Sequence, residues 1–521
     1  MAIMLSLAAA AVILRVVGPV VCHDVTLVTA VLVSVPLVQY SFGLVMFSGT
    51  AWIVSCYLIG FLLALVTGAR WESRSPGQVA DGLFLAIGIA ALLSVGLQLH
   101  QWLALDLLDI WAMADRGRPF ANFGQPNQLG TFLLWGVLAA VWGHVRQRIG
   151  AWTALFMIVY LLFGLALTQS RTAWIGLLIL IGASWIWHRL WPDPRWPWIA
   201  TGLGLYFVVC VAAQGWLNQL LLLALPGNER DIVRISSELR PAVWRLFIDA
   251  ALQHPFVGYG WNQAGQAHLA AALNHPALHA WFSHAHNLFL DFVLWCGIPV
   301  GLFVSIFVIR WLWRCLRAVR GPQDAVLLLL VLVVSNHAML ELPLHHAYFL
   351  LPVGLVMGAL NVRLDQRPIF VVGRWSVIAL WLVSVGLLAL LIRDYFRIET
   401  SYQGLRFEWA HIKTESPGGP PDVVLLTQLR EFIRMARADP GSGMSAKDLE
   451  WMRMVTSTYP STGAFLKLAT ALAMNHRPVE AQLWLRKLCG VAPESECAAA
   501  KGVWVSRSLG NPFVAAVSWP N

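Results

Sequence analysis

The sequence predicts an all-α membrane protein that crosses the bilayer about twelve times. Of its 521 residues, 58% are hydrophobic and only 12% are charged, whereas a soluble domain is about 25% charged. The apolar residues gather in runs of roughly 17–25 residues, the length that a helix needs to cross the hydrocarbon core. The runs end near residue 393. We therefore predict a transmembrane domain over 1–393 and a soluble helical domain over 394–521.

Each predicted span is one of these apolar runs. In chain order the spans are 2–20, 25–42, 50–68, 79–98, 127–146, 151–168, 173–190, 197–215, 287–310, 323–341, 346–362 and 370–392. The first run lacks a small-residue cleavage site after a basic segment, so we expect a retained helix and not a removed signal peptide. At 36–49, a bend or a re-entrant segment is an alternative to a plain helix end.

The formal charge of +9 is concentrated in short loops between the spans. Arginines gather at 70–74, 146–148, 189–195, 310–320 and 363–367. This is the positive-inside pattern of cytoplasmic loops, and it favours a topological role over nucleic-acid binding. The segments that then lie on the opposite side are 99–126, 168–172, 216–286, 341–346 and 393–521.

The longest loop on that side, 216–286, contains a helical pattern. In RPAVWRLFIDAALQHP (240–255), Pro241 suits a helix start, and the apolar residues recur at helical spacing. Those residues are Val243, Phe247, Ile248 and Ala251. The pattern predicts an amphipathic helix along the membrane surface, and PFVGYGWN (255–262) predicts a glycine-rich turn.

The soluble tail contains two further helical patterns, joined at NHRP within residues 463–493. The pair is similar to one tetratricopeptide-type helix pair. Cys489 and Cys497 lie in this tail and could form a disulfide if the tail is in an oxidising compartment.

A first polar group lies at 113–135, where two arginines precede four amide side chains and a membrane helix. These residues are Arg116, Arg118, Asn122, Gln125, Asn127 and Gln128. We expect Asn127 to cap the helix, and a helix N-terminus beside two guanidinium groups suits an anion. The alternative is an interfacial loop whose arginines extend to lipid headgroups.

Further arginines lie on the same side. Arg171 sits in a very short loop between two apolar runs, where an arginine is costly unless it is partnered or functional. The segment 229–245 holds Arg230, Arg234, Arg240 and Arg245. We expect Arg240 to be extended, because a proline follows it, with Arg245 about one and a half turns further along. Arg230 and Arg234 are expected to be solvated.

A last group combines imidazole, amide and carboxylate side chains. His286 and Asn287 precede one membrane helix, and His337 and Glu341 share a helix face at i and i+4 near the end of another. The alternative for His337 and Glu341 is a buried pair that holds two helices together. Arginine binds phosphate oxygens bidentately, and histidine exchanges a proton near neutral pH. Together the groups predict a phosphate-bearing substrate, presented from the bilayer, that undergoes an acid–base reaction.

Four motifs in the same order resemble bacterial protein O-oligosaccharyltransferases, which are related to O-antigen ligases and polymerases. RPFANFGQPNQLGTFLLWG resembles their N-terminal signature. SELRPAVWRLFIDAALQHPFVGYGW and HAHNLFLDFVLWCGIPVG resemble their large periplasmic loop and the helix after it, and HAMLELPLHHAYFLLP resembles a later ligase motif. The tail also resembles their C-terminal domain.

This resemblance implies a C-type glycosyltransferase fold in the bacterial inner membrane, with its active site facing the periplasm. It implies en bloc transfer of an oligosaccharide from undecaprenyl-pyrophosphate to a Ser or Thr hydroxyl of a pilin-like protein, with inversion and without a metal or other cofactor. His286, with Asn287 and Gly297 at the family spacing, corresponds to the proposed catalytic histidine. The pyrophosphate-binding role maps to Arg116, Arg118, Arg171, Arg240 and Arg245. His337 and Glu341 match the later motif as further catalytic candidates, and Gln125, Asn127 and Asn287 are secondary candidates.

Several alternatives remain. The acceptor could be a lipid A core sugar, as in an O-antigen ligase, or another repeat unit, as in a polymerase. A lipid-linked glycan transporter is a different class, but it would favour internal repeats and charges at the bilayer midplane. A metal site is a further alternative, since five histidines crowd one loop: His268, His275, His279, His284 and His286. His345 and His346 depart from the family pattern, which leaves the donor or acceptor contacts near them open.

Overall fold

The computed structural model describes residues 20–105, 118–223, 239–412 and 419–520, together with Ala10. Arg116, Arg230, Arg234 and most of the predicted span 2–20 lie outside the described residues. Within them, a short antiparallel sheet pairs β1 (Val20–Cys22) with β2 (Phe370–Val372), and Val20 lies opposite Val372. The rest of the regular structure in these ranges is helical.

Apolar helices occupy the first half of the chain at the positions that hydropathy predicts. They are α1 (Asp24–Ser41), α2 (Ser48–Arg74), α3 (Gln78–Trp102), α4 (Pro126–Val145), α5 (Ala151–Leu167), α6 (Arg171–Ile186) and α7 (Trp196–Leu220). The long loop then contributes α8 (Arg240–Gln253) and α9 (Ala264–Ala271). Apolar helices resume with α10 (Leu288–Ala318), α11 (Pro322–Ala338), α12 (Ala347–Arg363) and α13 (Arg374–Trp409).

A multi-pass membrane protein is confirmed by these helices. Seven of those described are long and apolar enough to cross a membrane, namely α1, α2, α3, α4, α7, α10 and α13. Four more apolar helices, α5, α6, α11 and α12, have 16 or 17 residues, slightly fewer than the roughly 20 of a typical span. The count of about twelve spans, the periplasmic loop and the tetratricopeptide-like tail stay predictions.

Two compact units divide the chain, and their residues alternate along it. The first contains 1–29, 60–237 and 308–381, and the second contains 30–59, 238–307 and 382–521. In the first unit, α4 is buried along most of its length and contacts α3, α5, α6 and α11. The predicted division at residue 393 stays a prediction.

The second unit has a core beneath the long loop and another in the tail. In α8 the buried face is formed by Val243, Leu246, Phe247, Ala250 and Ala251. Ile248, expected on that face, is 51% exposed, because the helix packs on α9 along a stripe that includes Phe247. A membrane-surface orientation of α8 stays a prediction.

The tail is helical in its described part. Its helices are α14 (Thr427–Arg437), α15 (Ala446–Thr458), α16 (Thr462–Met474), α17 (Pro478–Val491), α18 (Glu494–Gly510) and α19 (Pro512–Ala515). The predicted helix pair corresponds to α16 and α17, which pack against each other. Cys489 and Cys497 form a disulfide between α17 and α18, with Cα atoms 5.1 Å apart.

The predicted turn at 255–262 packs against a kink in α10. Gly297 interrupts the helix at φ 79°, and a Cβ there would lie 2.4 Å from the Phe256 carbonyl. The Ile298 N–H donates to the Pro255 carbonyl at 2.7 Å. Only glycine permits this backbone conformation together with so close an approach. The helix predicted as continuous over 287–310 is therefore kinked.

Backbone contact at a glycine also joins α2 and α12, and it yields a stability prediction. A Cβ on Gly358 would lie 2.1 Å from the Leu65 carbonyl, whereas a Cβ on Gly202 in α7 would meet no atom within 4 Å. We expect Gly358→Ala to destabilise the protein by about 1–3 kcal/mol through overpacking. Thermal unfolding in detergent should show a lower Tm for this variant than for the matched Gly202→Ala control, and equal Tm values would contradict the packing argument.

Candidate active site

A buried histidine is the centre of the polar residues in the first unit. His337 lies in the last turn of α11 and is fully buried. Its Nδ1 is 2.9 Å from Thr131 Oγ1 on α4, and its Nε2 is 3.2 Å from Glu341 Oε2. Glu341 lies just beyond the helix end, where its backbone N–H donates to the His337 carbonyl at 2.8 Å. Both ring nitrogens are therefore held, one by each neighbour.

The amide of Asn127 completes this group, which we call the His337 network: Asn127, Thr131, His337 and Glu341. Asn127 Nδ2 donates to Glu341 Oε1. The expectation that Asn127 caps α4 is wrong, because α4 begins at Pro126 and Gln125 is its N-cap residue, without a side-chain hydrogen bond. Proline starts the helix two residues before the position that a cap at Asn127 implies, so the Asn127 side chain is available to Glu341 instead. Gln125 is exposed at this helix start.

Two candidate arginines of the same unit lie around the start of α6. Arg118 donates from Nε and Nη2 to the Thr168 carbonyl at 3.0 and 2.5 Å, in the turn that precedes α6. Arg171 is the first residue of α6 and is exposed. A Cβ on Gly130 would lie 3.0 Å from Ala173 Cβ, so the first turns of α4 and α6 are in contact. Two helix N-termini and two guanidinium groups together favour an anion.

The His337 network adjoins these helix starts. Asn336, the residue before His337, donates from its amide to the Thr172 carbonyl at 3.2 Å. The first unit therefore brings Arg118, Arg171, His337 and Glu341 to one end of α4, α6 and α11. Sequence reasoning missed Thr131, because its role depends on how α4 packs against α11. A threonine in an apolar helix at helical spacing from Asn127 is the only signal that could have found it.

His286 lies in the second unit, between two anchored residues. Its backbone is left-handed at φ 53°, which is uncommon for a residue other than glycine. On one side, the Ala285 N–H donates to Asp291 Oδ1 at 2.8 Å, and the Ala285 carbonyl accepts from Trp244 Nε1 at 3.0 Å. Asp291 is fully buried. The strained conformation is thus held in place by buried neighbours.

On the other side of His286, Asn287 caps α10. Its Oδ1 accepts hydrogen bonds from the backbone N–H groups of Phe289 and Leu290 at 3.1 and 3.2 Å, the geometry of an N-cap. The His286 ring lies 4.0 Å from the His284 ring, centroid to centroid. Asp291 and Trp244 were not predicted as site residues, since their contacts are with backbone atoms that no sequence motif marks.

The two arginines of α8 have different surroundings. Arg240 is the first residue of this helix, and the expectation that it is extended is wrong. A proline disfavours a helical conformation in the residue before it, but proline is itself favoured in the first turn of a helix. At Pro241 the second effect prevails, so Arg240 is helical. Arg240 and Trp244 are four residues apart and share one face, and Trp244 bonds to the residue before His286. Arg245 lies off that face and is exposed.

Three other histidines of the long loop each contact different residues. His275 Nε2 is 3.2 Å from Asp249 Oδ2, and His279 Nε2 is 3.6 Å from Glu494 Oε1. His268 is buried among aromatic rings, with the Trp281 ring 5.2 Å away. Among the residues that the structure describes, no group of three or more His, Cys, Asp or Glu side chains could hold a metal ion.

Three sequence families match parts of the chain. Residues 119–144 match a family described as protein glycosylation ligase, and residues 156–305 match O-antigen ligase. Residues 325–506 match the C-terminal part of the virulence factor membrane-bound polymerases. The matched stretches contain His286, His337 and Glu341, as well as Asn127, Arg171 and Arg240.

Two curated proteins of Acinetobacter baylyi are similar to the chain. A general O-oligosaccharyltransferase is 28% identical over 482 residues, which cover 88% of this chain and 82% of the relative. A ComP-specific O-oligosaccharyltransferase is 28% identical over 307 residues, which cover 58% of this chain and 55% of the relative. The resemblance found in the motifs is therefore confirmed, and the prediction of a glycosyltransferase is confirmed with it.

The Thr131–His337 hydrogen bond gives a prediction. Thr131→Val keeps the side-chain shape but leaves His337 Nδ1 buried without that partner, so we expect a loss of about 1–3 kcal/mol in the free energy of unfolding. Denaturant unfolding in detergent measures the loss. Thr201→Val in α7 is the control, because Thr201 is exposed and its hydroxyl is bonded to Pro197 and Trp185 in a different helix pair. A loss no larger than in this control would mean that the network does not hold His337.

His268 gives a prediction about pH. Burial lowers the pKa of His268 from 6.5 to about 4. As pH falls through this interval, the unfolded chain takes up a proton that the folded protein resists, so stability should fall by about 3 kcal/mol. We expect His268→Phe to remove this part of the pH dependence. Tm measured from pH 7.5 to 4.5 should then fall less steeply than in the native protein.

The control for this pH series is His254→Phe, at an exposed histidine whose ring contact with Tyr259 a phenylalanine would keep. Its Tm should decline with pH as the native protein's does. Parallel Tm curves for the native protein and His268→Phe would show that another group causes the acid sensitivity.

Proposed function

We propose that the chain transfers a preassembled oligosaccharide en bloc from undecaprenyl-pyrophosphate to a Ser or Thr hydroxyl of a periplasmic or pilin-type protein. The observation that carries this proposal is the similarity, over 88% of the chain, to a protein named general O-oligosaccharyltransferase. The protein glycosylation ligase match at 119–144 supports a protein acceptor, because it covers Asn127 and the start of α4. The reaction is proposed to be inverting and to need no metal.

His286 is proposed as the catalytic base. The acceptor oxygen attacks the anomeric carbon and its proton passes to His286, while the bond from that carbon to the pyrophosphate breaks and the pyrophosphate leaves with the electron pair. A positioned base contributes about 10²–10⁴ in rate. The bonds of Ala285 to Trp244 and Asp291 support this role, because a base must be held in one geometry.

The pyrophosphate is proposed to interact with the candidate arginines. In the second unit, Arg240 shares a helix face with Trp244, and Arg245 is exposed. In the first unit, Arg118 bonds to the Thr168 carbonyl in the turn before α6, and Arg171 is the first residue of α6. Arg116 is proposed with them. Guanidinium groups stabilise the negative charge that develops on the leaving group. His337 and Glu341 are proposed as further catalytic residues, in contact with Asn127.

The inner membrane, with a periplasmic active site, is the proposed location. It is supported by the arginine-rich loops, which the positive-inside rule assigns to the cytoplasm. It is also supported by the candidate residues, which lie in the opposite set of loops or at the span ends beside them. An O-antigen ligase acting on the lipid A core, or a polymerase, is the second candidate. The matches of residues 156–305 and 325–506 to those two classes favour it.

Reconstitution tests the function and the role of His286 together. The purified protein, a defined undecaprenyl-pyrophosphate glycan and a pilin should yield pilin heavier by one glycan in intact-protein mass spectra. His286→Ala should lower the transfer rate by about 10²-fold or more. His275→Ala, in the same loop but paired with Asp249, should keep the native rate at the same protein level.

The outcomes separate the proposals. Transfer to a lipid A core oligosaccharide and not to pilin would replace protein glycosylation with O-antigen ligation. Full transfer by His286→Ala would exclude this residue as the base while leaving the reaction class in place.

A further inference from the structure

A second hydrogen-bonded group lies beside the His337 network, and the proposed reaction has assigned it no role. Tyr348 donates from its hydroxyl to Gln128 Oε1 at 2.6 Å, and Gln128 Nε2 is 2.7 Å from His346 Nε2. Gln128 follows Asn127 in the first turn of α4, His346 is the N-cap residue of α12, and Tyr348 is in its first turn. We call these three residues the Gln128 clamp.

The clamp fixes the protonation of His346. Because the Gln128 oxygen accepts from Tyr348, its amide nitrogen faces His346, and an amide nitrogen can only donate. His346 Nε2 must then be the acceptor, so the ring is neutral and carries its proton on Nδ1.

The remaining imidazole nitrogen is not used to cap the helix. The side chain of His346 makes no capping hydrogen bond at the start of α12, and the residue is half-buried. Its Nδ1–H is thus a fixed donor at a partly open position. The Gln128 amide that sets this donor is itself buried, so the orientation is built into the packing of α4 against α12.

Aromatic rings surround the same position. The rings of His346 and Tyr348 are stacked, with centroids 5.2 Å apart, and Phe123 meets Tyr348 edge-on at 5.5 Å. Neutral, oriented polar groups beside aromatic faces are typical of sites for small polar ligands. Sugars fit this description, because their hydroxyls form hydrogen bonds while their C–H faces lie against aromatic rings.

The charges nearby favour a neutral ligand over a phosphate. The Asn127 side chain, one residue before Gln128, is bonded to the Glu341 carboxylate. A carboxylate repels phosphate oxygens but accepts hydrogen bonds from hydroxyls. A neutral His346 adds no positive charge. The two candidate arginines of this unit that the structure describes, Arg118 and Arg171, lie at the loop and helix start around Thr168.

We propose that Gln128, His346 and Tyr348 form a carbohydrate-binding subsite for a sugar of the donor glycan. This inference rests on the proposed function, since it assigns part of the lipid-linked donor to these residues. The Nδ1–H of His346 donates a hydrogen bond to a sugar hydroxyl, and the rings of Tyr348 and Phe123 contact the apolar face of the sugar. The subsite therefore selects the glycan and not the pyrophosphate.

The subsite is tested by comparing, in the same variants, the KM for the lipid-linked glycan with the inhibition by the carrier lipid that has no glycan. We expect His346→Phe and Gln128→Leu each to raise the KM for the undecaprenyl-pyrophosphate glycan about tenfold or more, the effect of losing one oriented hydrogen bond. Inhibition by undecaprenyl pyrophosphate without a glycan should be unchanged. Tyr395→Phe, at an exposed tyrosine of α13, is the control and should alter neither quantity.

A direct measurement keeps the subsite testable if no transfer is detected. The free oligosaccharide, released from its lipid, should bind the purified native protein in saturation-transfer NMR, and the signal should fall in His346→Phe. Nitrogen NMR of labelled histidine should also show His346 protonated on Nδ1 and not on Nε2 near neutral pH. Binding without transfer would contradict the proposed function and support the subsite.

Three results would overturn the inference. Weaker inhibition by glycan-free undecaprenyl pyrophosphate in the variants would assign the clamp to the phosphate. A raised KM for the acceptor protein alone would assign it to the acceptor. Native donor KM in His346→Phe and Gln128→Leu, both folded by their Tm values, would leave the clamp as a helix-packing contact.

Discussion

A polar group inside a membrane protein must find its hydrogen-bond partners within the protein, and this constraint organises the first unit. His337 is fully buried in an apolar helix, yet Thr131 and Glu341 lie within hydrogen-bond distance of its two ring nitrogens. Asn127 then bonds to Glu341. Asn127 and Thr131 belong to α4, and His337 and Glu341 lie at the end of α11, so satisfying one imidazole fixes how these two helices meet.

Backbone conformation is the corresponding constraint in the second unit. His286 has a left-handed backbone, which persists only where the surroundings hold it. Asp291 and Trp244 bond to Ala285, and Asn287 caps α10. The kink at Gly297 lets the 255–262 turn approach the same helix. Hydrogen bonds on both sides of His286 therefore fix the position of its backbone.

In the first unit, the residues that suit a charged group are different from those that suit a neutral one. Arg118 bonds to the Thr168 carbonyl and Arg171 begins α6 just after it, and the two arginines suit an anion. The Gln128 clamp holds His346 neutral and lies next to a carboxylate-bonded asparagine, and it suits hydroxyl groups. A lipid-linked glycan has both kinds of chemistry, a charged diphosphate and neutral sugars.

The sequence by itself determined the apolar helices, the kind of enzyme and the segments that carry His286, His337 and Glu341, because run length, charge placement and local motifs are properties of neighbouring residues. It placed the cap of α4 at Asn127 and an extended residue at Arg240. Both were wrong because a proline lies in the first turn of each helix, Pro126 in α4 and Pro241 in α8. Only the tertiary structure decided that Thr131 bonds to His337, that Gln128 holds His346 or that Asp291 anchors Ala285. Such partners are distant in the chain or bond to backbone atoms, and helix packing alone brings them together.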